Sequence, residues 1–179
     1  MIRGARVAVL ALLAGCAGTG PIVVPLGIAH PARGGSPATQ AVATPVPCRV
    51  AVTSLRDERS NRETLGVIGQ RPLEAADVRG WVAGRLAALD VVGPPAGTLM
   101  TEVAIQRVYV RAVATQIEGV VALRAAFTDA GGTTTERIYR GVVTRLNWAS
   151  TQHELALLLE DTLTEALAKL TADAAQLCR

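Results

Sequence analysis

Three thiols, two imidazoles and a short acidic run are the groups of this 179-residue chain with chemistry to offer. The thiols are Cys16, Cys48 and Cys178, the imidazoles His30 and His153, and the acids Asp57, Glu58 and Glu63. Asp57 and Glu63 are the carboxylates best placed for an acid/base pair. They alternate with Arg56, Arg59 and Arg62, which favours a solvated, internally paired loop. Ser54, Ser60 and Ser150 have no Gly-flanked nucleophile elbow, and no phosphate-cradling Gly-rich loop occurs. Neither histidine has ligand spacing, so no metal, no cofactor and no enzymatic activity are expected. Leu55–Gly69 is the richest polar loop, and binding groups concentrate on loops; Asp57, Arg59, Gly66 and Gly69 are its candidate binding residues. Arg107, Arg111, Arg137, Arg140 and Arg145, with Glu136 the one acid nearby, form a candidate basic sheet face. An ordinary solvent face is the alternative.

Cys16 has the most specific surroundings. Arg3 and Arg6 form a basic start, and Val7–Ala14 is an unbroken apolar run. A membrane-spanning helix takes about 20 residues to cross a core of about 30 Å. The run is too short for that and reads as a removable export signal over residues 1–15. It ends in Leu13-Ala14-Gly15-Cys16, which resembles the bacterial lipobox of Leu, two small residues and Cys. The resemblance implies that the Cys16 thiol takes a diacylglycerol and its amine an acyl chain. Several chains anchor stably, because each buried methylene adds about 0.8 kcal/mol while one chain alone is marginal. Ala17 in place of Asp implies release to the outer membrane by the enterobacterial sorting rule, with the periplasmic face of the inner membrane as the alternative. Export also leaves Cys48 and Cys178 as an even pair in an oxidising compartment. A bridge between them stabilises by about 4–5 kcal/mol in the chain-entropy model; two unpaired thiols are the alternative.

Composition bounds the remainder. Removing Arg3 and Arg6 leaves 16 of the 18 basic residues against 15 acidic ones. Aromatics make up 3% and no basic tract occurs, so a nucleic-acid surface is not expected. Residues 16–47 read as the lipidated cysteine and a Pro-rich tether. Pro21, Pro25, Pro31, Pro37, Pro45 and Pro47 recur there among small residues, and proline favours extended backbone. At roughly 3 Å per residue such a spacer reaches up to about 90 Å. Within it, the Ile22-Val23-Val24 patch offers an edge strand as the alternative.

Residues 48–179 read as one domain. Arg49–Leu55 is a strand, Ser60–Pro72 a polar loop, and Leu73–Leu89 an amphipathic helix carrying Val78, Trp81, Val82, Leu86 and Leu89. Leu99, Thr101, Val103 and Ile105 share a strand face. After Gln106 the apolar phase shifts to Val108 and Val110, which implies a bulge or a twist there. Gly119–Thr128 and Thr134–Leu146 flank a turn at Asp129–Gly132. Thr151 and Glu154 form a capping-box signature, and Leu155, Leu158, Leu159, Leu163, Leu167 and Leu170 line the last helix. The order β-α-β-β-β-α predicts an α+β two-layer sandwich, a mostly antiparallel sheet with two amphipathic helices on one face.

The lipobox, the Pro-rich spacer, the strand running into Asp57-Glu58-Arg59, and Gly66-Val67-Ile68-Gly69 together resemble the YajG-type lipoproteins. The resemblance covers roughly Cys48–Leu177 and implies a location and a fold; it supplies no catalytic set. The order of elements is also similar to that of auxiliary lipoproteins of ABC-type lipid transporters and of the small lipoprotein that plugs the lipopolysaccharide export barrel. Three functions follow, in order of preference. The first is a non-enzymatic accessory subunit with an envelope protein partner, bound to the membrane through Cys16. The second is a lipid or glycolipid carrier, which needs an apolar cavity between helices and sheet. The third is an envelope hydrolase built on Asp57 and Glu63.

Overall fold

The alternating segments and the terminal leucine stripe each become an element. The computed structural model describes residues 20–28, 49–89, 98–147 and 149–177. In chain order these form strands β1 (Ile22–Val23), β2 (Arg49–Asp57), β3 (Gly66–Ile68) and β4 (Arg71–Glu74), then helix α1 (Val78–Ala87). Strands β5 (Thr98–Val113), β6 (Gln116–Thr128) and β7 (Thr134–Leu146) and helix α2 (Gln152–Leu177) complete them. Met1–Gly15, Cys16, His30, Cys48 and Cys178 lie outside the described residues.

An antiparallel β5-β6-β7 meander forms the body of the sheet. The register of β5 on β6 shifts between Ile105 and Arg107. This is the bulge that the phase change implies, and it has a purpose in packing. One extra residue lets Val108 and Val110 return to the side already occupied by Leu99, Thr101, Val103 and Ile105, and all six are buried.

The other flank of β5 carries two strands in one line. β2 runs parallel to β5 from Thr98 to Ile105, and β3 runs parallel to it at Val110 and Arg111. The Glu58 amide donates to the Ile105 carbonyl at 3.0 Å, and the Val110 amide donates to the Leu65 carbonyl at 2.6 Å. The segment between Glu58 and Leu65 is therefore a loop set into a single strand line. β4 pairs antiparallel with β3, and β1 parallel with β4, giving the order β1-β4-β3-β5-β6-β7 with β2 beside β5.

The two helices cover one face. Leu155, Leu158, Leu159, Leu163 and Leu170 of α2 are fully buried against β6 and β7. Gly141 makes this approach possible, since a Cβ there would stand 1.9 Å from the Thr162 carbonyl oxygen. At the start of α2 the expected capping box forms. The Thr151 amide donates to the Glu154 carboxylate at 2.9 Å, and the Glu154 amide to Thr151 Oγ1 at 3.2 Å. In α1, Asp77 accepts from the Gly80 amide at 2.6 Å and Val78, Trp81, Val82 and Leu86 are buried.

The fold is thus the expected α+β sandwich with its expected helices, enlarged by three short strands. Part of the Ser60–Pro72 segment, read as loop, forms β3 and the start of β4. Leu73, read as the start of the helix, lies fully buried in β4, and α1 begins after its Asp77 cap instead. Of the two readings of Ile22–Val24, the edge strand holds. Ile22 and Val24 are only 5% and 1% exposed, and the Val24 amide donates to the Glu74 carbonyl. The sheet therefore begins inside the segment read as a tether.

Candidate functional site

The loop between β2 and β3 is shaped by short side chains and one arginine. The Asp57 carboxylate accepts from Arg59 Nε at 2.9 Å and from Nη2 at 2.8 Å, and from the Arg59 amide at 3.2 Å. Two parallel charge-assisted bonds fix the guanidinium plane as one bond would not. They hold the Asp57 carboxyl below the usual carboxylate range. Asn61 Oδ1 then accepts from the amides of Glu63 and Thr64, closing a turn. Leu65 is buried, and Gly66 takes φ +122° where a Cβ would meet the Val110 carbonyl oxygen at 2.1 Å. Gly66 is thus required by the return of the chain to β5.

Arg59 is 7% exposed, and its Nη1 is buried without a hydrogen-bond partner among the described residues. It lines a cleft of about 290 Å³ together with Asn61, Gln106, Arg107 and Tyr109. Asp57, Arg59 and Gly66 therefore belong to one local structure. Gly69 does not; it occupies the β3–β4 turn with φ +63°. Glu63 is exposed, and its amide rather than its carboxylate supports the turn. The other carboxylate considered for that pair, Asp57, is committed to Arg59.

The five arginines expected on one basic face do not share it. On β5, Arg107 and Arg111 stand on the side away from the helices, and Arg111 pairs with Glu118 at 2.9 Å. On β7, Arg137 and Arg145 have the parity of Gly141, which faces α2. They reach Asp173, at 3.1 Å, and Asp161. Arg140 has the opposite parity. Side chains alternate across a strand, so odd and even arginines of β7 had to separate.

The open face is instead a balanced network. Arg56 pairs with Glu102 at 2.6 Å, and Arg124 bridges Glu58 at 2.7 Å and Glu136 at 3.1 Å. Arg56, Glu102, Arg124 and Glu136 line a smaller cleft of about 130 Å³. Sequence reasoning passed over Arg124, although its place between buried Leu123 and Ala125 marks it as the outward residue of β6. It also passed over Glu160 of the last helix. Glu160 is 2% exposed and accepts from Trp81 Nε1 at 2.6 Å and from the Gly27 amide at 2.9 Å. Its spacing from buried Ala156 and Leu163 was the available signal.

The free edge of β7 is closed. The Val142 amide donates to Glu165 at 3.1 Å, and Lys169 Nζ donates to the Arg140 carbonyl at 2.7 Å. Covering an edge strand in this way removes a template for strand addition. Glu165 and Lys169 also pair with each other at 2.6 Å, which lowers the Glu165 pKa. His153 is exposed in the first turn of α2. No helix among the described residues is long and apolar enough to cross a membrane.

No protein-family model matches the chain, and no curated protein matches it. Among solved structures, protein XCC0632 from Xanthomonas campestris, of the DUF330 family, is similar with a TM-score of 0.51 at 11% identity. The match covers 83% of this chain and 91% of that one. A candidate lipoprotein from Caulobacter crescentus gives 0.37 at 19% identity, over 56% of this chain and 79% of that one. Lipoprotein GNA1162 from Neisseria meningitidis gives 0.30 at 13%, over 69% and 99%. What this chain shares with the Xanthomonas protein is its fold, a mixed sheet covered on one face by two helices.

Proposed function

We propose that the chain is a lipid-anchored protein of the bacterial envelope, acylated at Cys16, whose domain is a non-enzymatic binding subunit of an envelope assembly. One observation carries the binding reading. Arg59 is held rigid and almost wholly buried by Asp57, with one guanidinium nitrogen unpaired, in a cleft that it shares with Arg107. A buried donor without a partner costs about 1–3 kcal/mol, and Arg107, exposed at the same cleft, offers an acidic side chain of a protein partner a charge to pair with. Leu13-Ala14-Gly15-Cys16 and the YajG-type pattern around Asp57 and Gly66 support the anchor and the family. Ala17 favours the outer membrane over the inner one. The lipid-carrier alternative finds no support in the core, where the fully buried leucines of α2 occupy the space between helix and sheet.

The test is purification of the full-length tagged protein from crosslinked envelopes, with the mass of the Cys16 peptide read in the same preparation. Acylated Cys16, together with a protein partner whose acidic residue crosslinks within residues 59–66, is the expected result. Arg107→Glu should abolish that crosslink while leaving the protein on the membrane. A Cys16 without lipid overturns the anchor. Acylated protein without any crosslink at the loop overturns the binding role.

A further inference from the structure

The described chain begins at Gly20, and the position of Gly20 in the sheet is defined. β1 runs parallel to β4 with Ile22 opposite Leu73, and the Gly20 carbonyl accepts from Arg71 Nε at 2.9 Å. Gly20 therefore lies at the end of the sheet that holds the β3–β4 turn. Gly66 opposite Val110, in parallel, puts the β5–β6 turn at Ala114-Thr115 at that same end. Leu146, opposite Gln116, brings the end of β7 there as well, and the Asn147 amide donates to the Thr115 carbonyl at 2.9 Å. The β6–β7 turn, Asp129–Gly132, and the start of β5 are at the opposite end.

Three residues lie between Cys16 and Gly20, which are four Cα–Cα steps apart. Fully extended they span at most about 14 Å. A lipid on Cys16 thus leaves no room for a long spacer. The turns of the Gly20 end must stand close to the surface that takes the lipid.

The side chains of that end fit such a surface. Val23, Val67, Val113 and Leu146 are four of the six large apolar side chains left exposed among the described residues. Strand parity places all four on the open face. Val67 lies opposite Arg111, Val113 and Leu146 each lie opposite Gln116, and Val23 follows buried Ile22. A few half-exposed valines and a leucine bind a bilayer weakly by themselves. A short tether raises their effective concentration at the surface to the millimolar range, where weak contacts count.

We infer that the Gly20 end of the open sheet face rests on the bilayer, with Val67, Val113 and Leu146 in the interface. This rests on the reading of Cys16 as acylated. It points the β6–β7 turn away from the membrane and lays the long strands across the space in front of it.

The test keeps the native chain. p-Benzoyl-phenylalanine replaces Val67, Val113, Leu146 or, as the distal reference, Thr133 in the full-length protein. Isolated envelopes are irradiated, and intact masses are read for adducts and for the acyl chains on Cys16. All four sites are exposed, so folding is preserved. The expected result is a phospholipid adduct several-fold more abundant at Val113 and Leu146 than at Thr133. Equal lipid adducts at all sites, or protein adducts at Val113 and Leu146, overturn the seating while an acylated Cys16 leaves the anchor standing. A Cys16 without lipid overturns the anchor and the seating together, and the mass spectrum separates the two failures.

Discussion

The two faces of the sheet are held by different physics. On the covered face, shape decides. Gly141 lets α2 approach until backbone meets backbone, and fully buried leucines fill what is left. Polar groups that enter this layer find partners: Trp81 meets Glu160, Tyr139 and Arg137 meet Asp173, and Arg145 meets Asp161. Burial and the Asp173 carboxylate beside it push the Tyr139 hydroxyl pKa far up, so it remains a donor. On the open face, charge decides, in exposed or half-exposed pairs such as Arg56–Glu102 and Arg124–Glu136. Most of the buried apolar side chains therefore lie on one side of the sheet. The exposed charges of the other side can change at little cost to the fold.

The contrast breaks most visibly at the core. Leu159→Ala removes a fully buried side chain and should cost about 2–5 kcal/mol in urea unfolding, whereas Ile138→Ala on the open face should stay within about 0.5 kcal/mol. A loss as large at Ile138 would mean that the open face is covered. Gly141→Ala puts a Cβ into the Thr162 carbonyl and should cost about 1–3 kcal/mol or more, with near-UV circular dichroism reporting the shift of α2.

Glu160→Ala leaves Trp81 Nε1 and the Gly27 amide without their acceptor. A loss of about 1–3 kcal/mol is expected, with faster hydrogen exchange confined to residues 22–28 and α1. Uniform exchange across the sheet would show that Glu160 supports the whole core instead of clipping β1. Arg124→Ala should cost only about 0.2–1 kcal/mol, and the cost should vanish in high salt.

The smallest effect is a pH dependence of the loop. The Asp57 carboxyl is held below its usual value of 3.8, chiefly by the hydrogen bond from Arg59. A depressed pKa contributes stability that is complete above the unfolded value and is lost as pH falls through the folded one. Exchange of the 59–65 amides should therefore accelerate only below about pH 4, and Asp57→Asn should abolish that step. Acceleration beginning near neutral pH would assign the loop's stability to another group.

The parts of the molecule that were legible are those with long, uninterrupted periods. The leucine stripe of α2, its capping box, the bulge after Gln106 and the Asp129–Gly132 turn all form as their residues predict. Their information is local, since each residue's place depends on neighbours within a few positions. β1, β3 and β4 are two to four residues long, too short for a period, and they exist only because a partner strand is there to pair with them. The candidate loop was partly legible. Asp57 and Arg59 pair within two residues, but the cleft also needs Gln106, Arg107 and Tyr109 from a distant strand.

The amino-acid order alone settled the succession of the long strands and the two helices, the two apolar stripes and the α+β class, because burying those stripes leaves few arrangements. The three-dimensional packing decided which charges meet. It sent Arg137 and Arg145 to α2 while leaving Arg107, Arg111 and Arg140 on the other side, buried Glu160, and drew Ile22–Val24 from an apparent spacer into the sheet. Such pairings join residues far apart in the chain, and their energy depends on distances and burial that only the packed structure sets.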